Sequence, residues 1–207
     1  SHGEDSDYTK EIYDLDIPIL GLCFGHQEIA NHYGGKVHHG GREWGKADLH
    51  LTRDHPLFEG LGPVEPVWMS HYDSVVELGP EFEELGYTPA ADGSEPHRYA
   101  AIGSDTLRRY GFQFHAEVDD TTHGDQMLAN FFVLTCPYLY DLETVTYFGL
   151  LRNRHSSYAT GAISQTTQLL LDVYRHDGTL YIRPLKVQHR YSTTIEMLHV
   201  WKGSEFE

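Results

Sequence analysis

Gly21-Leu22-Cys23-Phe24-Gly25-His26-Gln27 decides how this chain is read. The heptapeptide follows an apolar run, Ile17-Pro18-Ile19-Leu20, and opens a helix-like segment that closes at Gly34-Gly35. A cysteine between two glycines, at the turn from a strand into a helix, has the layout of a nucleophile elbow. The glycines tolerate tight backbone, and the helix N-terminus beyond offers N–H groups and partial positive charge. Both are expected to favour the thiolate of Cys23, which is the reactive form of a cysteine. Far downstream, Tyr110-Gly111-Phe112-Gln113-Phe114-His115-Ala116-Glu117-Val118 supplies a histidine and, two residues on, a carboxylate. A nucleophile, a base and a group that orients the base form the general pattern of covalent catalysis.

Strands and helices alternate outward from the elbow. Residues 11–22 read as a strand entry, and a short continuous apolar run fits a buried parallel strand. Residues 24–33 read as a helix with Ile29 and Ala30 inward, stopped by the glycine pair. Val37–Thr52 reads as hairpin strands, and 55–63 as a short helix and loop. Val64–Met69 and Ser74–Leu78 read as two strands, and residues 100–102 and 110–114 as another pair. Asp125–Leu134 reads as the final helix, ending near Cys136-Pro137, with Met127, Leu128, Phe131 and Leu134 facing the core. The Arg108-Arg109 pair reads as a solvated turn. The pattern predicts an α/β layer fold, with the elbow at the carboxyl end of a parallel strand.

Composition narrows the class. Two cysteines, Cys23 and Cys136, in 207 residues are too few for a disulfide scaffold. No segment reads as a signal peptide or approaches membrane-spanning length, so the expectation is a cytoplasmic protein that does not bind membranes. The net charge of −16 sits in residues 1–137, which hold 8 Lys and Arg against 24 Asp and Glu, whereas residues 138–207 hold 7 of each. An acidic surface argues against nucleic-acid binding, which needs a basic footprint. The fifteen histidines, densest at His32 and His38-His39, show no converging ligand spacing, so no metal site is expected.

Together, the two motifs resemble those of the class I glutamine amidotransferases, in which the elbow reads G-[ILV]-C-x-G-x-Q and the second motif Q-F-H-P-E. Three further stretches narrow the resemblance to the glutaminases of GMP synthetases. Gly41-Arg42-Glu43-Trp44-Gly45-Lys46-Ala47 is similar to R-E-[YF]-G-x-A. Val67-Trp68-Met69-Ser70-His71-Tyr72-Asp73-Ser74-Val75 is similar to V-W-x-S-H-x-D-x-V. Asp120–Gly124 with Asn130-Phe131 is similar to the family's H-T-x-x-G…N-F close. The resemblance covers about residues 1–136. It implies a three-layer fold around a mainly parallel sheet; residues 137–207 lie outside the resemblance and read as a β-rich addition of unknown role. In that addition, residues 169–174 and 179–185 read as a hairpin about Asp177-Gly178, and 191–201 as a further strand.

The resemblance assigns Cys23 as nucleophile, His115 as general base and acid, and Glu117 as the residue orienting His115. It implies that Gln27 holds substrate glutamine and that the Phe24 N–H is one oxyanion donor. The loop of Ser70, His71 and Asp73 would bind the amino and carboxylate ends of glutamine. If Ser1-His2-Gly3 is what is left of the family's S-G-G-P loop, Gly3 is the second oxyanion donor. The chain departs from the family at Ala116, where proline is usual, and in apparently lacking the first two strands and first helix. The implied reaction needs no cofactor in this chain. ATP and Mg2+ belong to the implied partner, a separate ATP-pyrophosphatase synthetase subunit that aminates XMP to GMP. A stand-alone hydrolase of γ-glutamyl amides, an inactive regulatory module and a metal-binding protein stay open as alternatives.

Overall fold

The computed structural model describes residues 10–90, 95–141, 161, 163–165, 167, 169–177, 179–187, 199–202 and 205–206. The chain divides into two compact units, residues 1–160 and 161–207. In the first, the elements run β1 (Ile19–Leu22), α1 (Phe24–His32), β2 (Lys36–Leu51), β3 (Val64–Glu77), β4 (Glu83–Thr88), β5 (His97–Ser104), β6 (Arg109–Phe112) and α2 (Gly124–Asp141). The strands form one sheet in the order β1-β6-β5-β4-β2-β3.

The α/β class is as expected. Of the mainly parallel sheet, the described residues contain one parallel pairing, β1 with β6. The pairings β2/β3, β2/β4, β4/β5 and β5/β6 are antiparallel. Connection length explains the difference: strands joined by short loops return antiparallel, whereas parallel neighbours need a long crossover. The pairs β2/β3, β4/β5 and β5/β6 are consecutive in sequence, whereas β1 and β6 are separated by almost the whole sheet, which leaves room for the crossover that a parallel pair requires.

Successive strand residues point to opposite faces. Ala101 and Ile102, neighbours in β5, accordingly fall in different apolar clusters. One contains Ile29 and Ala30 of α1 with Val75 and Phe82; the other contains Met127 of α2 with Leu49, Leu57, Val67, Met69, Phe112 and Phe114. A helix layer thus covers each face. Each of these large apolar side chains stabilises the fold by roughly 1.5–3 kcal/mol on full burial.

Three expectations are corrected. The strand entry at 11–22 is a 3-10 turn over Lys10–Asp14 followed by a short strand. Its cause is Arg109, which is buried rather than solvated. The Arg109 guanidinium donates to the carbonyls of Ile17 (2.5 Å), Leu15 (2.7 Å), Leu107 (3.0 Å) and Tyr13 (3.2 Å), and to the Tyr33 hydroxyl at 2.9 Å. A planar five-donor fork can gather that many acceptors, and it holds the segment in a turn. Next, Val64–Met69 and Ser74–Leu78 are one strand, β3. The polar residues between them stay paired with β2, Ser70 opposite Trp44 and His71 opposite Glu43. Finally, α2 continues past Cys136-Pro137 to Asp141, although Pro137 has no N–H to give to the preceding turn.

The second unit holds β7 (Leu169–His176), β8 (Thr179–Val187), β9 (His199–Lys202) and β10 (Glu205–Phe206), all antiparallel. The β7/β8 hairpin turns at Asp177, with His176 opposite Thr179, where the Asp-Gly pair puts it. Residues 191–198 of the expected further strand lie outside the described residues.

Candidate active site

The parallel register that joins β1 to β6 pairs Leu22 with Phe112. Both strands end there, so the next residues, Cys23 and Gln113, leave the sheet side by side. The Cys23 N–H donates to the Phe112 carbonyl at 2.8 Å, and the Cys23 carbonyl accepts the first helical bond from Gln27 at 3.2 Å. Between these anchors the backbone of Cys23 is forced to φ 50° and ψ −103°. Such a conformation costs an L-residue on the order of 1–3 kcal/mol and holds its side chain clear of both elements. The tight backbone therefore falls on Cys23 itself, and neither flanking glycine has positive φ. Gly21 is needed for another reason: a Cβ there would lie 2.4 Å from the Gly25 carbonyl carbon and oxygen. Its absence lets the first turn of α1 lie directly on β1. Gly25 has open space around it.

The electrostatics of the thiol differ from expectation. Burial is the largest influence and pushes the Cys23 thiol up; the Glu117 charge adds to this, and a hydrogen bond from the Phe24 backbone opposes it. The helix N-terminus therefore does act toward thiolate, but desolvation outweighs it. At rest the thiol donates to the Ser70 carbonyl, 3.6 Å away.

The second motif lies along the exit of β6. His115 Nδ1 lies 2.7 Å from Glu117 Oε1, which leaves Nε2 as the ring's other face. The segment is tied down on β3. The His115 N–H donates to the Trp68 carbonyl (3.0 Å), and Thr121 Oγ1 donates to the His115 carbonyl (2.6 Å) while accepting from the Trp68 N–H (3.0 Å). Thr121 thus restrains the stretch where Ala116 replaces the usual proline. Gly124 is required beside it, because a Cβ would meet the Ala116 carbonyl oxygen at 2.0 Å.

Gln27 is buried on the inner face of α1. Its Nε2 donates to the Asp73 carbonyl at 2.7 Å and to Gln113 Oε1 at 3.1 Å, so the amide N–H groups are committed within the protein. His71 is buried in β3, with Nδ1 2.9 Å from the Asp73 carbonyl and Nε2 3.3 Å from Glu43 Oε2. The Asp73 carboxylate pairs with His39. Gly3 lies outside the described residues. The structure therefore brings Cys23, Phe24 and Gln27, at the exit of β1, to Ser70, His71 and Asp73 in the middle of β3, with His115 and Glu117 on the segment after β6.

The sequence reading gave Glu43, Thr88 and Gln113 no individual part. Thr88 is buried and donates to both carboxylate oxygens of Glu43, at 2.9 and 3.0 Å. A signal for Glu43 existed: it shares the inward phase of β2 with Ala47 and Leu49, where a carboxylate needs partners. Among the described residues, no group of three or more His, Cys, Asp or Glu is arranged to hold a metal ion, and no helix is long and apolar enough to cross a membrane.

Residues 2–135 match the family described as Glutamine amidotransferase class-I. The chain is 44% identical over 128 residues to the GMP synthase [glutamine-hydrolyzing] of Aquifex aeolicus, covering 61% of this chain and 24% of that protein. It is 46% identical over 122 residues to the enzyme of the same name from Symbiobacterium thermophilum, covering 58% and 23%. The chain thus spans about a quarter of the length of these curated relatives. Among solved structures, a Thermoplasma acidophilum protein described as a GMP synthase subunit superposes with a TM-score of 0.57 at 30% identity, over 65% of each chain. Sequence match, superposition and elbow geometry agree, and the chain belongs to the glutamine amidotransferase class-I family.

Proposed function

We propose that this chain is the glutaminase component of a GMP-forming enzyme. The observation that carries the reading is the β1/β6 register, which ends in a strained Cys23 beside Gln113 and leads on to the His115–Glu117 pair. The Cys23 thiol gives its proton to His115 as its sulfur attacks the side-chain carbonyl carbon of glutamine, and the Phe24 N–H receives the developing oxyanion. Such a donor is worth about 2.7–4 kcal/mol in the transition state. His115 gives a proton to the departing amide nitrogen, so ammonia leaves and a γ-glutamyl thioester stays on Cys23. A water then attacks the thioester and gives its proton to His115, which passes it to the departing sulfur; glutamate leaves and the Cys23 thiol is restored. Glu117 holds the Nδ1–H of His115, which presents Nε2 for each of these transfers and stabilises the charged ring.

Gln27 keeps its Oε1 for the substrate's ammonium group, while Ser70, His71 and Asp73 form the wall for the amino-acid end. The chemistry needs no metal or cofactor here. Ammonia passes to an ATP-dependent synthetase partner, which uses ATP and Mg2+ to aminate XMP. The names of the relatives support this acceptor, and a half-buried thiol whose pKa is raised suits a site that is slow until the partner docks.

The test is glutamate release from glutamine by the chain and by Cys23→Ala, each with and without an XMP-aminating synthetase subunit. Release that requires Cys23 and rises with the partner is expected. Release indifferent to the partner would identify a stand-alone hydrolase, and no release from folded protein would refute the glutaminase reading.

A further inference from the structure

A continuous line of hydrogen bonds runs from the partly buried carboxylate of Glu43 to the nucleophile. Glu43 Oε2 faces His71 Nε2 at 3.3 Å, and His71 Nδ1 reaches the Asp73 carbonyl at 2.9 Å. That carbonyl also accepts from Gln27 Nε2 at 2.7 Å; Gln27 Nε2 reaches Gln113 Oε1 at 3.1 Å; and Gln113 Nε2 lies 4.0 Å from Cys23 Sγ. The direction of the links from the Asp73 carbonyl to the sulfur follows from one fact, that a backbone carbonyl only accepts. The end of Gln27 that meets Asp73 must be its nitrogen. The end of Gln113 that meets this nitrogen must be oxygen. What Gln113 turns toward the sulfur is then an N–H.

We propose that Glu43, His71 and the Asp73 carbonyl are positioning groups that fix the amide orientations of Gln27 and Gln113, so that Gln113 presents a hydrogen-bond donor to the Cys23 thiolate. A donor of this kind favours the charged sulfur, and it counters the burial that favours the neutral thiol. Glu43 anchors the far end: Thr88 donates to both of its oxygens, and His97 Nδ1 lies 4.0 Å from Oε2. A β-bulge between His39 and Glu43 in the β2/β3 ladder sets this carboxylate opposite His71. The assignment rests on Cys23 being the nucleophile, but its readout does not require glutamine.

The titratable groups on the converging elements are His26 and Glu28 on α1; His39, Glu43, His71 and Asp73 on β2 and β3; His97 on β5; and His115 and Glu117 after β6. All are retained in a comparison of Gln113 variants. The experiment follows alkylation of Cys23 by iodoacetamide from pH 6 to 10, resolved from Cys136 by peptide mass spectrometry. It uses the full chain with its fold checked by circular dichroism. Gln113→Glu keeps the shape and still accepts from Gln27, but turns an acceptor toward the sulfur. Cys23 alkylation at pH 7.5 is expected to slow on the order of tenfold, with the midpoint of the profile displaced upward.

Glu43→Leu is expected to slow alkylation several-fold from a distance, and Glu43→Gln, which can still partner His71 and Thr88, to restore most of it. A wild-type profile in folded Gln113→Glu overturns the proposal, as does equal loss in the two Glu43 variants. If Glu43→Leu does not fold, Gln113→Glu and Glu43→Gln decide alone. A wild-type chain that releases no glutamate yet shows these shifts sinks the glutaminase reading and leaves the relay standing.

Discussion

His26 should make this protein acid-labile well above the range where its carboxylates protonate. The side chain is fully buried one turn into α1, its ring pressed against the backbone of Gly111 in β6. Neither ring nitrogen has a well-formed hydrogen bond among the described residues. Burial pulls its pKa from 6.5 down to about 3; the nearby His71 adds to the shift and the Gly111 backbone opposes it. The folded chain therefore holds the ring neutral, while the unfolded chain takes up a proton below pH 6.5. A depressed folded value means that the contribution is fully present above 6.5 and is lost as pH falls toward 3. The slope approaches 1.36 kcal/mol per pH unit.

Between pH 8 and pH 5.5 the loss from this one ring comes to about 1.4 kcal/mol, equivalent to roughly 3–6 °C in Tm for a chain of this size. Staying at 5.5 keeps the protein above its sequence pI of about 5.2, where net charge vanishes. The assay is urea unfolding at both pH values for wild type and His26→Leu. The variant lacks the ring but keeps every other titrating group, so the difference of differences isolates His26. The wild type should lose about 1.4 kcal/mol more than the variant. Parallel losses would refute the reasoning, because they would mean that His26 takes up its proton equally in both states.

Two further outcomes follow from packing. Gly21→Ala should destabilise the chain by about 1–3 kcal/mol and lower Cys23 reactivity with it, since the added Cβ meets the Gly25 backbone and lifts α1 off β1; paired thermal melts and alkylation rates check this. Arg109→Lys should cost about 3 kcal/mol, because an ammonium cannot reach acceptors spread over Tyr13, Leu15, Ile17 and Leu107, and unsatisfied carbonyls are expensive. Limited proteolysis should then cut within residues 10–18 while the rest of the sheet stays protected.

The sequence alone determined whatever rests on local chemistry. The elbow, the inward face of α1, the β7/β8 turn and the His115–Glu117 spacing were legible because each is a short pattern whose geometry is set by neighbouring residues. Gly21 was legible as a glycine, but not for its reason. Whether glycine supplies a positive φ or the mere absence of a Cβ depends on how closely α1 returns over β1. The burial that raises the Cys23 thiol, the pull of Arg109 on the segment before β1, and the role of Glu43 were decided by tertiary structure. Each depends on groups brought together from tens of residues apart. Glu43, His71 and Gln27 sit on three elements and Gln113 just beyond a fourth, and a hydrogen bond forms between positions in space. Sequence spacing fixes which side of a strand or helix a residue occupies, while only the strand register and the layering of helices on the sheet fix what it meets there.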